Sequence, residues 1–194
     1  MYKEYLHTLE SLLENIEKNQ HDALEKGAQM LSRVLMDDGL IYLFGCGHSH
    51  MMAEEGFYRA GGLGAVYPVL QSDLMLHEGA VRSSSLERRS ELVPEVFLRY
   101  PMTDKDALIV FSNSGINGFP VEMAAWRLKK ACRRSASLLR LIRRKHPVIP
   151  WVCICRMSAC MPSIRARLMV MRPILLRAHS CIWDRSLPFS APIS

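Results

Sequence analysis

The chain has 194 residues, of which 49 % are apolar, and it carries a formal net charge of +6. This length suits one domain with a sizeable core, and no apolar run approaches the ~18 residues that a membrane-spanning helix requires. The composition therefore gives no indication of a membrane span, and the N-terminus lacks an apolar signal core, which predicts a cytoplasmic protein.

Two amphipathic helices are predicted before the first strand. The first covers residues 2–19 and the second runs from about His21 to Leu35, with Gly39 as its C-terminal stop. Both predictions rest on apolar residues at helical spacing, which in the first helix are Tyr5, Leu9, Leu12, Leu13 and Ile16.

The next stretch alternates strands with helices. The apolar run at residues 40–44 has the length of a strand that is buried on both faces. The predicted elements that follow are a helix at 50–62, a strand at 63–70, a loop with a short helix at 72–89, a helix at 92–100, a strand at 104–112 and a helix beginning at Pro120. This alternation predicts an α/β fold with a parallel sheet.

Glycine and serine are concentrated in two turns, each of which follows a predicted buried strand. The first turn is "GCGHSH" at residues 45–50, and the second turn is "SNSGING" at residues 112–118. Glycine lets a backbone approach an anion closely, and serine adds a hydroxyl donor without charge. Either turn alone is equally compatible with a tight connection, but the pair favours a small phosphorylated ligand. Neither turn has the spacing of a P-loop or of a dinucleotide fingerprint.

Three segments carry a resemblance to a known family: "GCGHSHMMAEEGFYRAGGL", "LMLHEGA" and "DALIVFSNSGING". They resemble the sugar isomerase (SIS) domain, in particular an uncharacterised bacterial branch related to phosphoheptose isomerases, over about residues 1–126. The resemblance implies a flavodoxin-like three-layer α/β/α sandwich with a five-stranded parallel sheet. It also implies a homodimer or homotetramer that binds sugar phosphates, either in an enzyme or in a regulator.

The resemblance also implies which residues hold the phosphate. Asn117 stands where many members of the family have Thr or Ser, so this position lacks the usual hydroxyl. The residues implied in phosphate binding are Gly47, Ser49, Ser112, Asn113, Ser114, Gly115 and Asn117.

The predicted function is that of a phosphosugar isomerase of the aldose–ketose type, or a related sugar-phosphate enzyme, that needs no cofactor. The alternative is a phosphosugar sensor that binds without turnover. Isomerisation needs a base, for which Glu55 and Glu78 are candidates, and a group that opens the ring, for which His77 and His48 are candidates. The structural alternatives are that a glutamate complements a helix dipole and that His48 orients its own turn.

A metal site in the first turn is also conceivable from its residue types. The turn contains Cys46, His48 and His50, whose side chains are of the types that commonly bind zinc. Their spacing of two residues within a tight turn differs from the usual zinc patterns, however, so a structural use is favoured and no metal is predicted.

The composition changes near Trp126. Residues 1–126 hold 10 basic and 18 acidic residues together with all 11 glycines, whereas residues 127–194 hold 15 basic residues and a single acid, Asp184. A basic tail can indicate contact with nucleic acid. This tail is threaded with apolar residues, however, and lacks the glycines that a folded domain uses at helix ends and turns.

A shifted reading frame explains the tail better than a nucleic-acid partner does. When the last base of each codon is read with the first two bases of the next, three pairs must encode glycine: Trp151 with Val152, Met169 with Val170, and Trp183 with Asp184. The same frame permits "VGITSSAHSSK" between Arg134 and Lys145, which resembles a buried strand followed by hydroxyl residues. We therefore predict the N-terminal part of a SIS domain at 1–126, truncated there, and a frame-shifted, non-native tail at 127–194.

Overall fold

The computed structural model describes the backbone of residues 2–131, 151–156 and 169–171, and the side chains of residues 2–127. Its helices are α1 (Tyr2–Met36), α2 (Met51–Glu55), α3 (Ala80–Leu86), α4 (Val93–Leu98) and α5 (Gly118–Ala131). Its strands are β1 (Ile41–Gly45), β2 (Val66–Pro68), β3 (Ala107–Ser112), β4 (Trp151–Arg156) and β5 (Met169–Met171).

The described strands form one sheet in the order β2-β1-β3-β4-β5. The first three are parallel, with β1 between β2 and β3, so the predicted α/β class with a parallel sheet is confirmed for this part. β4 pairs antiparallel with β3, and β5 pairs antiparallel with β4, so the sheet as a whole is mixed. The stretch at 134–145, where the shifted frame permits a further strand, lies outside the described residues.

Helices cover both faces of the sheet, as the three-layer prediction requires. Because alternate strand residues point to opposite faces, β1 contributes Tyr42 and Phe44 to one core and Ile41 and Leu43 to the other. The first core packs against α4 and α5, where Phe44 and Phe119 stack with their ring centroids 5.7 Å apart. The second core packs against α1 and α2. Burial on both faces explains why these strands read as continuous apolar runs.

The prediction of two helices before β1 is wrong, because α1 is a single helix of 35 residues. The polar stretch in its middle holds neither glycine nor proline. Its asparagines do not cap a break: the Asn15 amide donates to the Ser11 carbonyl at 2.8 Å, and the Asn19 amide donates to the Asn15 carbonyl at 3.0 Å. Bonds of this kind to the preceding turn are compatible with an uninterrupted helix.

The end of α1 differs in detail from the prediction. The left-handed residue that ends the helix is Asp38, with φ of 55°, and not Gly39. The Gly39 amide donates to the Val34 carbonyl at 2.8 Å, which closes the helix. Gly39 is required for another reason: a Cβ at this position would lie 2.5 Å from the carbonyl oxygen of Lys105.

The helix predicted at 50–62 is also shorter than expected, since α2 ends at Glu55. Two residues after Gly56, Tyr58 adopts φ of 50°, which is incompatible with a continuing right-handed helix. No helix within the described ranges combines the length and the apolar character that a membrane span needs.

Candidate functional site

The two glycine- and serine-bearing turns lie side by side. β1 and β3 are adjacent and parallel, and their register pairs Gly45 with Phe111, the residue before Ser112. Both strands therefore end at the same edge of the sheet, and the first turn leaves β1 where the second turn leaves β3. This is the edge at which open α/β sheets bind ligands.

The first turn is tightly wound. The chain forms one turn of 3-10 helix at Gly47–His50 and continues directly into α2. The Ser49 amide donates to the Cys46 carbonyl at 3.0 Å. The reversal brings the Ser49 carbonyl so close to Gly45 that a Cβ there would collide with it, so only glycine fits at the end of β1. Ser49 itself is partly exposed beside this reversal.

The second turn is held by its own serines. The Ser112 hydroxyl is buried and accepts a hydrogen bond of 3.0 Å from the Gly115 amide. The Ser114 hydroxyl accepts a longer bond of 3.5 Å from the Ile116 amide. A serine oxygen that accepts from an amide still has its own proton to donate, so both hydroxyls keep a donor for a ligand. Asn113 is exposed, whereas Gly115 and Asn117 are partly buried.

The helix α3 lies beside the first turn. In α3, the buried Ser83 donates from its hydroxyl to the Leu74 carbonyl at 2.9 Å. A Cβ added at Gly47 would lie 3.9 Å from both the Ser83 Oγ and the Leu76 Cδ2. The sequence prediction missed Ser83, because the run of three serines at 83–85 does not reveal which hydroxyl is buried.

The four predicted catalytic residues are all exposed. His77 and Glu78 lie in one short turn, with 3.8 Å between His77 Nε2 and Glu78 Oε1. Glu55 forms an ion pair with Arg59, four residues further along the chain. His48 lies in the first turn. The proximity of His77 and Glu78 follows from their being consecutive in the chain, whereas the structure pairs Glu55 with a basic side chain.

His50 was not among the residues that the sequence predicted for proton transfer. Its side chain is 2 % exposed, and its Nδ1 lies 3.4 Å from Oε1 of Glu54. Burial lowers the pKa of His50, and the nearby His77 lowers it further, while the Glu54 carboxylate acts in the opposite direction. Its Nε2 is buried and has no hydrogen-bond partner among the described residues. The sequence had pointed to His50 only as a possible metal ligand.

The thiol of Cys46 is unsuited to metal or nucleophilic chemistry. Cys46 is 4 % exposed, and burial raises the pKa of its thiol far above the ordinary range. The thiolate, which is the form that binds metals and attacks carbon, is therefore disfavoured. In the part of the chain with described side chains, no group of three His, Cys, Asp or Glu residues is arranged to hold a metal ion.

Comparison with known families gives one match to a family model, described as the SIS domain, over residues 4–131. Among curated proteins, a UPF0309 protein of Thermoanaerobacter pseudethanolicus is 38 % identical over 148 residues, which are 75 % of this chain and 58 % of the relative. A UPF0309 protein of Geobacillus thermodenitrificans is 44 % identical over 124 residues, covering 64 % of this chain and 50 % of the relative. A UPF0309 protein of Listeria innocua is 43 % identical with the same coverage.

The chain thus spans about half the length of the curated relatives that it matches. The family match ends at residue 131, within a few residues of the change in composition near Trp126.

Proposed function

This chain belongs to the SIS domain family, and from that premise we propose that it binds a sugar phosphate between the first turn and the second turn. The phosphoryl group is held by backbone amides of both turns and by the hydroxyls of Ser49, Ser112 and Ser114. The sugar extends toward the turn that carries His77 and Glu78. This binding needs no cofactor and no nucleic acid.

One observation carries the proposal, namely that the two turns end adjacent parallel strands. The pairing of Gly45 with Phe111 leaves Ser49 and Ser112 on neighbouring segments at one edge of the sheet. Two neutral, glycine-containing turns offer several N–H and O–H donors around one small volume, which suits a tetrahedral dianion better than an extended nucleotide.

The reaction that fits this site is aldose–ketose isomerisation or a related sugar-phosphate conversion. A base must move a proton between two adjacent carbons, and an acid or base must open the ring. Among the residues predicted for these roles, His77 and Glu78 share one short turn near the first turn. Glu55 is a weaker candidate because it is paired with Arg59.

Titration calorimetry tests the binding. Aldose and ketose phosphates of different chain lengths are titrated into the full chain, with inorganic phosphate and the unphosphorylated sugars as comparisons. We expect Ser49→Ala and Ser114→Ala each to weaken binding about 10-fold, since each removes one hydrogen bond to a charged group. Ser11→Ala, an exposed change on α1, is the matched control and leaves affinity unchanged. Equal affinity for all three variants contradicts the proposal.

The second candidate function is a phosphosugar sensor without turnover. The observation that favours it is the exposure of all four predicted catalytic residues, together with the ion pair that occupies Glu55. Incubation of a bound sugar phosphate in deuterated buffer separates the two functions, because isomerisation through an enediol exchanges a carbon-bound proton with solvent. Deuterium incorporation supports the enzyme. Tight binding without incorporation supports the sensor.

A further inference from the structure

A buried imidazole next to the first turn has no assigned role in the proposed function. His50 follows Ser49 directly, at the junction between the 3-10 turn and α2. Its side chain is 2 % exposed, and its Nε2 is a buried polar atom without a partner in the described part of the chain. An unpaired buried polar group costs folding free energy, so its retention at a ligand-binding edge calls for a functional explanation.

The contact with Glu54 determines which tautomer of the His50 imidazole is favoured. With Nδ1 3.4 Å from the carboxylate, the proton of the neutral imidazole is best placed on Nδ1, where it faces Glu54 Oε1. Nε2 then carries a lone pair and acts as a base. A carboxylate that orients a histidine through one ring nitrogen and leaves the other nitrogen for chemistry is a recurrent arrangement in enzymes.

We infer that His50 is the acid–base group of the proposed isomerase, and that Glu54 is its positioning residue. The inference rests on the proposed function and deepens it, because it names the proton carrier. Nε2 is buried on the chain segment that carries Ser49, and the electrostatic influence of His77 on this imidazole indicates that the turn toward which the sugar extends lies nearby.

The proton transfer balances without any further reactant. In the open-chain aldose phosphate, the C2–H bond breaks and its proton moves to Nε2. The electron pair forms the C1=C2 double bond, and the carbonyl oxygen on C1 takes up the proton of the C2 hydroxyl. The C2 oxygen then forms the new carbonyl, and C1 receives the proton back from the imidazolium. No oxidant or metal is consumed.

The charges that face His50 suit this cycle. Glu54 on α2 stabilises the imidazolium that forms during the reaction, whereas burial and His77, from the turn at Leu76–Glu78, favour the neutral base beforehand. The side chain of Leu76 from the same turn lies near Gly47. Because Nε2 is buried in this structure, the inference requires the protein to open locally beside His50 when a ligand binds.

Nitrogen NMR of the imidazole tests the inference without relying on turnover. The full chain is observed with and without a hexose 6-phosphate whose binding is measured by calorimetry on the same sample. We expect a neutral ring protonated at Nδ1 in the free protein and a clear shift of the Nε2 signal on binding. Saturating ligand that leaves both ring nitrogens unchanged overturns the inference while the proposed binding stands. Absence of any calorimetric binding overturns the proposed function and this inference with it.

Three matched variants test the roles in the reaction. His50→Gln is expected to lower kcat by about 100-fold or more with little change in KM, the size typical of a lost general base. Glu54→Gln lowers kcat less. It also moves the acid limb of the pH profile to lower pH, since the carboxylate that raises the pKa of His50 is gone. Glu95→Gln removes an exposed carboxylate on α4, away from both turns, and is the control that leaves the profile in place.

Two kinetic results overturn the inference. One is a pH profile that stays unchanged in Glu54→Gln, because a merely structural carboxylate would give that outcome. The other is sugar-phosphate binding by the unaltered chain without any exchange of a carbon-bound proton in deuterated buffer. If His50→Gln fails to fold, the NMR titration of the unaltered chain still decides the matter.

Discussion

Asp106 joins the starts of two neighbouring strands through its carboxylate. One oxygen accepts from the Leu40 amide at 2.8 Å, and the other accepts from the Thr103 amide at 2.6 Å and the Thr103 hydroxyl at 2.9 Å. The side chain is 4 % exposed. This carboxylate therefore fixes the register of β1 against β3 from the end opposite to the two turns.

Asp106→Ala is expected to lower the free energy of unfolding by about 1–3 kcal/mol, because it leaves the amides of Leu40 and Thr103, whose bonds to the carboxylate are partly buried, without this acceptor. Asp104→Ala changes an exposed carboxylate in the same loop and is expected to cost less than about 0.5 kcal/mol. Urea titration followed by circular dichroism measures both. Equal midpoints for the two variants would show that the Asp106 carboxylate contributes nothing to the register.

At the scale of elements, the end of α1 offers a stabilising change. Asp38 holds φ of 55°, a conformation that costs a residue with a side chain more than it costs glycine. Asp38→Gly is therefore expected to raise the free energy of unfolding by about 0.5–1 kcal/mol. Asp37→Gly, its matched control, introduces glycine next to the left-handed position and is expected to be neutral or destabilising. A thermal melt in which Asp38→Gly unfolds below the unaltered chain contradicts this account.

The elements that the sequence predicted correctly are those set by local patterns. β1 and β3 follow from their apolar runs, and the position of both turns at one edge follows from the parallel pairing. The length of α1 and the early end of α2 were not predicted. Side-chain bonds within the helix, such as that from the Asn19 amide to the Asn15 carbonyl, accompany the first, and the φ of Tyr58 accompanies the second.

The candidate site was predicted only in part for a similar reason. Serine and glycine in the turns are visible in the sequence, since their chemistry is local. The pairing of His50 with Glu54 and the burial of Ser83 depend on how α2 and α3 pack against the first turn. The spacing of apolar residues in the sequence does not show how these helices pack against the turn.

The N-terminal half of α1 carries an apolar stripe that the described part of the chain leaves exposed. Its exposed fractions include 71 % for Tyr2, 50 % for Leu6 and 66 % for Leu13. The stripe lies on the same helical face as Met30 and Val34, which α1 packs against the sheet. The resemblance to the SIS family implies a homodimer or homotetramer, and we propose that a second copy of the chain covers this stripe.

Leu13→Lys is expected to weaken self-association about 10-fold or more, because it places a charge in the centre of an apolar interface. Ser11→Lys changes the net charge by the same amount on the opposite side of the helix, since two residues subtend about 200°, and it is expected to leave association unchanged. Sedimentation velocity over a range of concentrations measures both. A chain that stays monomeric before substitution, or a Leu13→Lys variant that associates normally, contradicts the interface.

At the scale of the whole molecule, two parts of different composition meet near residue 127. The first part matches the SIS family, carries both turns and contributes the parallel strands. Arg127 packs as part of this domain, since its side chain is fully buried and donates to the Thr103 carbonyl at 2.7 Å. The family match continues to residue 131. We therefore place the proposed change of reading frame just after this point of α5.

We predict that the DNA between the codons for Trp126 and Lys130, or within a few codons beyond them, has one base too many or too few. Correcting it replaces the glycine-free tail by a chain with glycine at the three forced positions, beginning at the Trp151–Val152 junction. We expect the corrected chain to supply native core residues to the side of β3 where β4 pairs antiparallel in this chain.

Each kcal/mol gained raises the melting temperature of a domain of this size by about 2–4 °C. We expect the corrected chain to melt cooperatively at least about 5 °C above the 194-residue chain. An intact frame in the DNA, or a corrected chain that melts no higher, would show that the basic tail is the native partner of β3.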